Sequence, residues 1–176
     1  MDNRHKPSPP PNSVQPLIDA IRGGDEGALR ELLSLAPPDR HRDDQGCTAM
    51  FHAIYRREWA MVEELLRHGA SIDTQDIAGW TPLFWAAFNG HAHVVSRLIQ
   101  LGANPDLRNE DGELALFWAV YKGHDDVVQV LIKGGSGGHA QDASGMNSRD
   151  LAKLLGREEV VEQIDEESTS VRSKRH

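Results

Sequence analysis

The sequence predicts an all-α solenoid: helix-turn-helix units stacked side by side, with hairpin loops projecting from them. Three observations carry this. A pattern recurs every 33 residues with no insertion, so that Gly46, Gly79, Gly112 and Gly145 share one register, as do Ala20, Ala53, Ala86, Ala119 and Ala152. Each unit has room for only two short helices, too short to persist alone in water, so each buries its apolar face against the next copy. Apolar residues make up 39% of the chain, a low share for a compact globule but suited to a thin stack.

The register holds along the chain. Leu17, Met50, Leu83 and Leu116 keep the same step, and so do Leu32, Leu65, Leu98, Leu131 and Ile164. The stretch from Asp76 to Arg108 shows the unit most clearly. Thr81 is an N-cap followed by Pro82 at the first helical position, where a missing N–H costs nothing. Leu83 to Asn89 then reads as a short helix that Gly90 ends in the left-handed conformation. Val94, Val95, Leu98 and Ile99 form the apolar stripe of a second helix. Gly102 closes it, and Asn104 to Asp111 reads as an extended turn.

Gly79-Trp80-Thr81-Pro82-Leu83, Ala86-Ala87, Gly90-His91, Leu98-Ile99 and Gly102-Ala103 resemble the ankyrin repeat, also a 33-residue unit. The resemblance runs from Ser13 to Ile164 and implies five repeats, at 13–42, 43–75, 76–108, 109–141 and 142–164, the outer two acting as caps. A disordered arm is expected over 1–12 and a disordered tail over 165–176. In the arm, Arg4, Pro7 and Pro10 match a basic-x-x-Pro-x-x-Pro docking pattern that any proline-rich end produces.

The departures from the repeat are informative. The histidine that ankyrin repeats carry after leucine is replaced by Phe51, Phe84 and Phe117, which predicts loss of a side-chain bond to the turn. Leu114-Ala115 stands where Thr-Pro is expected, removing a cap and about 1 kcal/mol. Gly134 to Gly138 lies at a helix end and hairpin, where a floppier loop is expected. Asn147 reads as the N-cap of the last unit.

Catalytic chemistry finds little footing. Gly134-Gly135-Ser136-Gly137-Gly138 satisfies G-x-S-x-G, but it follows a helix rather than a strand, so no nucleophile elbow is expected. His91 and His93 point to different sides of a helix, unlike a metal-binding pair at i and i+4. Neither an enzyme nor a cofactor is expected. The net charge of −8, from 27 acidic and 19 basic residues, argues against a dedicated nucleic-acid binder. The single cysteine, Cys47, excludes an internal disulfide and fits a reducing compartment. No apolar run would cross a membrane, and MDNRHKPSPPP has no signal-peptide core. A cytoplasmic or nuclear monomer with a protein partner is the expectation.

The resemblance implies where that partner binds. Two positions of the ankyrin unit look onto its concave surface, one late in the first helix and one at the hairpin tip. Here the helix position holds Tyr55, Phe88 and Tyr121, each followed by Arg56, Asn89 and Lys122. The tip position holds Cys47, Trp80, Glu113 and Met146, and Trp85 and Trp118 lie one turn away. Aromatic and arginine side chains on an open face are what interface hot spots are made of. The competing reading is that these rings lie flat on the stack and only cover it. A sharper alternative is a cage for methylated lysine, built by Trp80, Trp85 and Phe88 with Trp118 and Tyr121 of the next unit. It is similar to the arrangement in the ankyrin domains of certain histone-lysine methyltransferases, except that Phe88 stands in place of a carboxylate that Glu113 would have to supply. A third alternative is an inhibitor or regulatory subunit of an enzyme, marked by a change in that enzyme's rate.

Overall fold

The computed structural model describes residues 15–40 and 42–173. The proline-rich arm with Arg4, Pro7 and Pro10 lies outside them. Among the described residues are ten helices and no sheet, so the fold is all-α. The chain forms two compact units, one ending at Asp76 and the other beginning at Ile77.

The first unit holds α1 (Gln15–Gly23), α2 (Glu26–Leu35), α3 (Ala49–Arg56) and α4 (Trp59–Arg67). Helix α1 packs on its partner α2 and on α3, while α2 packs on α4, giving two layers of two helices. Ile18, Ile21, Leu29, Met50, Ile54, Val62 and Leu65 fill the space between them. Asp25 caps α2 by accepting from Ala28 N–H at 2.9 Å. Glu64 is a buried carboxylate, offset by ion pairs with Arg67 and with Arg30 at 3.4 Å. Burial pushes its carboxyl up, but the bonds from Arg67 and Arg30 outweigh that and hold it below its ordinary value.

The second unit repeats the same construction with three pairs: α5 (Pro82–Phe88) and α6 (Ala92–Gln100), α7 (Ala115–Lys122) and α8 (Asp125–Lys133), α9 (Ser148–Leu154) and α10 (Glu158–Ser173). The first helices of the pairs pack as α5 on α7 on α9, and the second helices as α6 on α8 on α10. Neighbouring hairpins are linked through the backbone: Glu110 N–H donates to Ala78 O at 3.1 Å and Ala143 N–H to Asp111 O at 3.1 Å. Gly79 is required by that closeness, since a Cβ there would stand 2.7 Å from Glu110 N and 2.9 Å from Asn109 Cα.

Several expectations change on contact with the structure. The tail does not begin at Asp165: α10 continues to Ser173. Arg149 holds the extension with two parallel bonds to Asp165, at 2.6 and 2.7 Å, and Ser168 meets His139 Nε2 at 3.0 Å. The Gly134–Gly138 segment is a packed one. A Cβ at Gly134 would stand 2.6 Å from Ile99 Cδ1, one at Gly138 would collide with Ile164, and Gly137 N–H donates to Asp106 Oδ1 at 2.8 Å. Gly134 and Gly138 answer close approach, and Gly135 a left-handed backbone at φ 90°, rather than a need for slack. Leu114 indeed makes no cap bond to α7, but its side chain is only 2% exposed, so burial offsets the lost cap. The caps at Thr81 and Asn147 form as the sequence indicates, accepting from Phe84 N–H at 3.0 Å and Asp150 N–H at 2.8 Å.

Candidate functional site

Two turns and two helices of the second unit bring a row of rings together. Thr81 and Pro82 fix the start of α5, so Trp80 just before the cap packs back on Phe84 of the first turn, with ring centroids 4.8 Å apart. Phe84 and Phe88 are four residues apart and share one face of the helix. Trp80 therefore also meets Phe88, at 4.9 Å and 52°. Packing of α5 on α7 sets Phe88 against Trp118 at 5.3 Å and 57°. Trp118 in turn meets Tyr121 edge-on, at 5.4 Å and 81°. Phe84 is 1% exposed and supports the row from below, whereas Tyr121 at its far end is 57% exposed.

Charge surrounds the row at two points. Trp118 Nε1–H donates to Glu113 Oε2 at 2.7 Å, and Asn109 Nδ2–H donates to the same oxygen at 2.7 Å. Asn109 is itself buried and organises the hairpin, its Oδ1 accepting from Asp111 N–H at 3.1 Å and Glu113 N–H at 2.8 Å. Asp43 and Asp142 hold their turns the same way, but only an amide can also donate to Glu113. The second charge is Lys122, whose Nζ stands 4.5 Å from the centroid of Phe88. The face of Phe88 thus already seats an ammonium, by the attraction of a cation to a ring quadrupole.

The residues singled out from sequence divide into groups. Trp80, Phe88, Glu113, Trp118, Tyr121 and Lys122 come together. Trp85 does not join them: it turns to His91, with centroids 5.6 Å apart. Asn89 is exposed and its Nδ2–H donates to Trp85 O at 2.9 Å, a helix-end role. Tyr55 and Arg56 belong to the first unit, where Tyr55 is 56% exposed and Arg56 donates to Arg22 O at 3.2 Å. Cys47 at the tip position is buried, and burial, aided by Asp43 and Asp76, pushes its thiol up to about 12. It is an inert packing residue.

Sequence reasoning missed how the turns are tied. Phe51, Phe84 and Phe117 were expected to remove a bond from side chain to turn, yet the bond survives one residue further on. His52 Nε2 lies 2.7 Å from Asp43 Oδ2 in the first unit, and Trp118 takes the same register position with Glu113 in the second. His52, following Phe51, was the one signal that could have been read from the sequence. Burial raises the Asp43 carboxyl, but His52 and the N–H groups of Cys47 and Gln45 outweigh it and bring it below its ordinary value.

Among the described residues no three His, Cys, Asp or Glu side chains are grouped to hold a metal. Ser136 of the G-x-S-x-G match is buried in a hairpin after α8. No helix among the described residues is long and apolar enough to cross a membrane. Residues 59–142 match the family model of ankyrin repeats, in three copies. The paired-helix stacking within each unit fits the same class of solenoid. Ankyrin repeats are recognition modules rather than catalysts, and the fold supports protein–protein interaction. No curated protein is similar to the chain at a significant level.

Proposed function

We propose that the protein binds a partner protein by seating a methylated lysine of that partner on the ring row of the second unit. The observation that carries this is the Lys122 ammonium over Phe88, 4.5 Å from the ring centroid, flanked by Trp80 and Trp118. A quaternary ammonium is more weakly hydrated than a primary one, so it gains from ring faces and gives up less water. The incoming cation displaces Lys122 and takes its place. Glu113 holds Trp118 upright, and the rigid stack keeps the rings in place before binding, so little ordering entropy is lost. The same reading counts five repeats, since the turn after the first helix of each pair recurs in one register along the described chain.

A lysine-centred peptide in unmodified and trimethylated forms tests the proposal by titration calorimetry. Trimethylation is expected to tighten binding about 2- to 30-fold, the range of one or two good cation–ring contacts. Phe88→Ala removes that gain, and Lys122→Met strengthens binding by vacating the seat. Equal affinity for both peptides in wild type and in Lys122→Met defeats the proposal.

The exposure of Tyr55 and Tyr121, 56% and 57%, favours a broader reading in which exposed rings grip an apolar partner surface without regard to methylation. Tyr55→Ala, Phe88→Ala and Tyr121→Ala then each weaken partner capture while thermal stability changes little. Matched losses of stability and capture would instead mean that the rings only pack.

A further inference from the structure

Every helix pair places one residue of its connecting turn in the left-handed region: Gly24, Arg57, Gly90, Gly123 and Gly156, with φ of 68°, 61°, 73°, 77° and 68°. Four are glycine. Arg57 is the one non-glycine residue with positive φ among the described residues. The turn itself is ordinary, since Arg57 N–H donates to Ile54 O at 2.9 Å as a helix-ending residue does. The arginine therefore bears backbone strain that glycine would not, and local geometry gives no reason for it.

A Cβ at Gly24, Gly123 or Gly156 would meet nothing within 4 Å, whereas one at Gly90 would stand 2.9 Å from the His124 ring, so the register position is open in three of its four glycine copies. Arg57 is exposed, as are its neighbours Arg56 and Tyr55. Arg56 Nη2–H donates to Arg22 O at 3.2 Å, which brings the end of α3 against the end of α1, where Arg22 is also exposed. Arginine at a helix C-terminus complements the macrodipole, which favours a basic residue at Arg22, at Arg56 and at the cap residue Arg57, but does not call for the left-handed conformation that Arg57 adopts. None of the three forms an ion pair with a described carboxylate, whereas Arg30, Arg67, Arg149 and Arg157 all do. Three unneutralised guanidinium groups around an exposed tyrosine stand out in a chain of net charge −8.

We propose that Arg22, Arg56 and Arg57, with Tyr55 as an apolar flank, form a docking surface for an acidic, carboxylate-rich segment of a partner protein. Guanidinium groups pair carboxylates in a bidentate fork. Their positions on two helix ends and a turn suit a run of carboxylates rather than a single anion. The net charge of −8 opposes any long polyanion, which favours a short acidic segment held by these three arginines over a nucleic acid. The surface is independent of the ring row and stands whether or not that row binds methylated lysine.

The test uses the full chain and a fluorescein-labelled peptide of alternating glutamate and glycine, read by anisotropy at low salt. A glutamine-for-glutamate peptide and a single-stranded oligonucleotide of equal length serve as competitors. The glutamate peptide is expected to bind and the glutamine peptide to fail. Arg57→Gly raises the melting temperature by about 2–4 °C through relief of strain while weakening the peptide by about threefold or more. Arg22→Gln and Arg56→Gln added to it weaken binding about tenfold or more. Unchanged peptide affinity in the triple variant overturns the proposal, and so does an oligonucleotide that competes better than the glutamate peptide. A melting temperature lowered by Arg57→Gly removes the strain on which the inference stands.

Discussion

The turn after α3 and the turns after α5 and α7 occupy one register position and share one backbone conformation, yet they present opposite surfaces. Tyr55-Arg56-Arg57 is cationic and carries strain at φ 61°, whereas Phe88-Asn89-Gly90 and Tyr121-Lys122-Gly123 are relaxed glycine turns at φ 73° and 77°. In the second unit the aromatic residues ahead of those glycines meet rings from the hairpin and the neighbouring helix. The periodic positions, buried and backbone-determined, are spent on folding. Those between them are free of that duty, and the two units have filled them differently.

The largest effect that separates the two comes from the phenylalanines beneath these surfaces. Phe84→Ala should cost about 3–5 kcal/mol, measured by chemical denaturation, and should also abolish the methyl-lysine selectivity proposed for the ring row, because Trp80 rests on that ring. Phe51→Ala, at the same register and also buried, should destabilise comparably and leave that selectivity intact. Loss of selectivity in both variants would mean that the ring row depends on general stability rather than on its own support.

Gly123→Arg imposes on the second unit the turn that the first unit tolerates. A Cβ there is unobstructed, so the cost is backbone strain alone, about 1 kcal/mol by denaturant titration. A neutral result would show the left-handed turn to be relaxed for arginine and would remove the contrast with Arg57.

Leu114→Thr tests the missing cap. Restoring the cap gains about 1 kcal/mol and surrendering a leucine that is 2% exposed loses about 2, so a net loss of about 1 kcal/mol is expected. A net gain, which the repeat pattern alone suggests, would show that burial at this site contributes little.

The finest effect is on pH. Glu64 and Asp43 in the first unit and Asp142 and Asp165 in the second all titrate below their ordinary values when folded. A lowered folded pKa means stability that is complete above the usual carboxylate range and lost as pH falls through the folded value. Acid unfolding followed by helical circular dichroism should therefore lose stability on the acid side, and Glu64→Gln should flatten that limb while lowering stability at neutral pH. An unchanged acid limb in Glu64→Gln would place the sensitivity in the remaining carboxylates.

Much of the fold can be read in the chain because its determinants are local and repeated. Thr81-Pro82 and Asn147 declare helix starts, and the Val94, Val95, Leu98, Ile99 stripe declares a buried face. Most of the ring row was also legible, since Trp80, Phe88, Trp118 and Tyr121 fall where first helices and hairpin tips meet. Trp85 could not be assigned that way: spacing puts it near the row, but its side chain turns to His91 instead. The tie between Trp118 and Glu113 was equally hidden, because it needs the amide of Asn109 where other turns use aspartate.

By itself the sequence determined the repeat length, the pairing of helices, the caps at Thr81 and Asn147 and the positions that lie off the buried stripe, because each follows from hydrogen bonding and apolar periodicity over a few neighbouring residues. Only the tertiary structure decided which rings touch, that Lys122 lies over Phe88, that α10 runs on past Asp165, and that Arg57 rather than glycine holds a left-handed turn. Those outcomes depend on contacts between residues distant along the chain and on backbone angles that residue type biases without fixing.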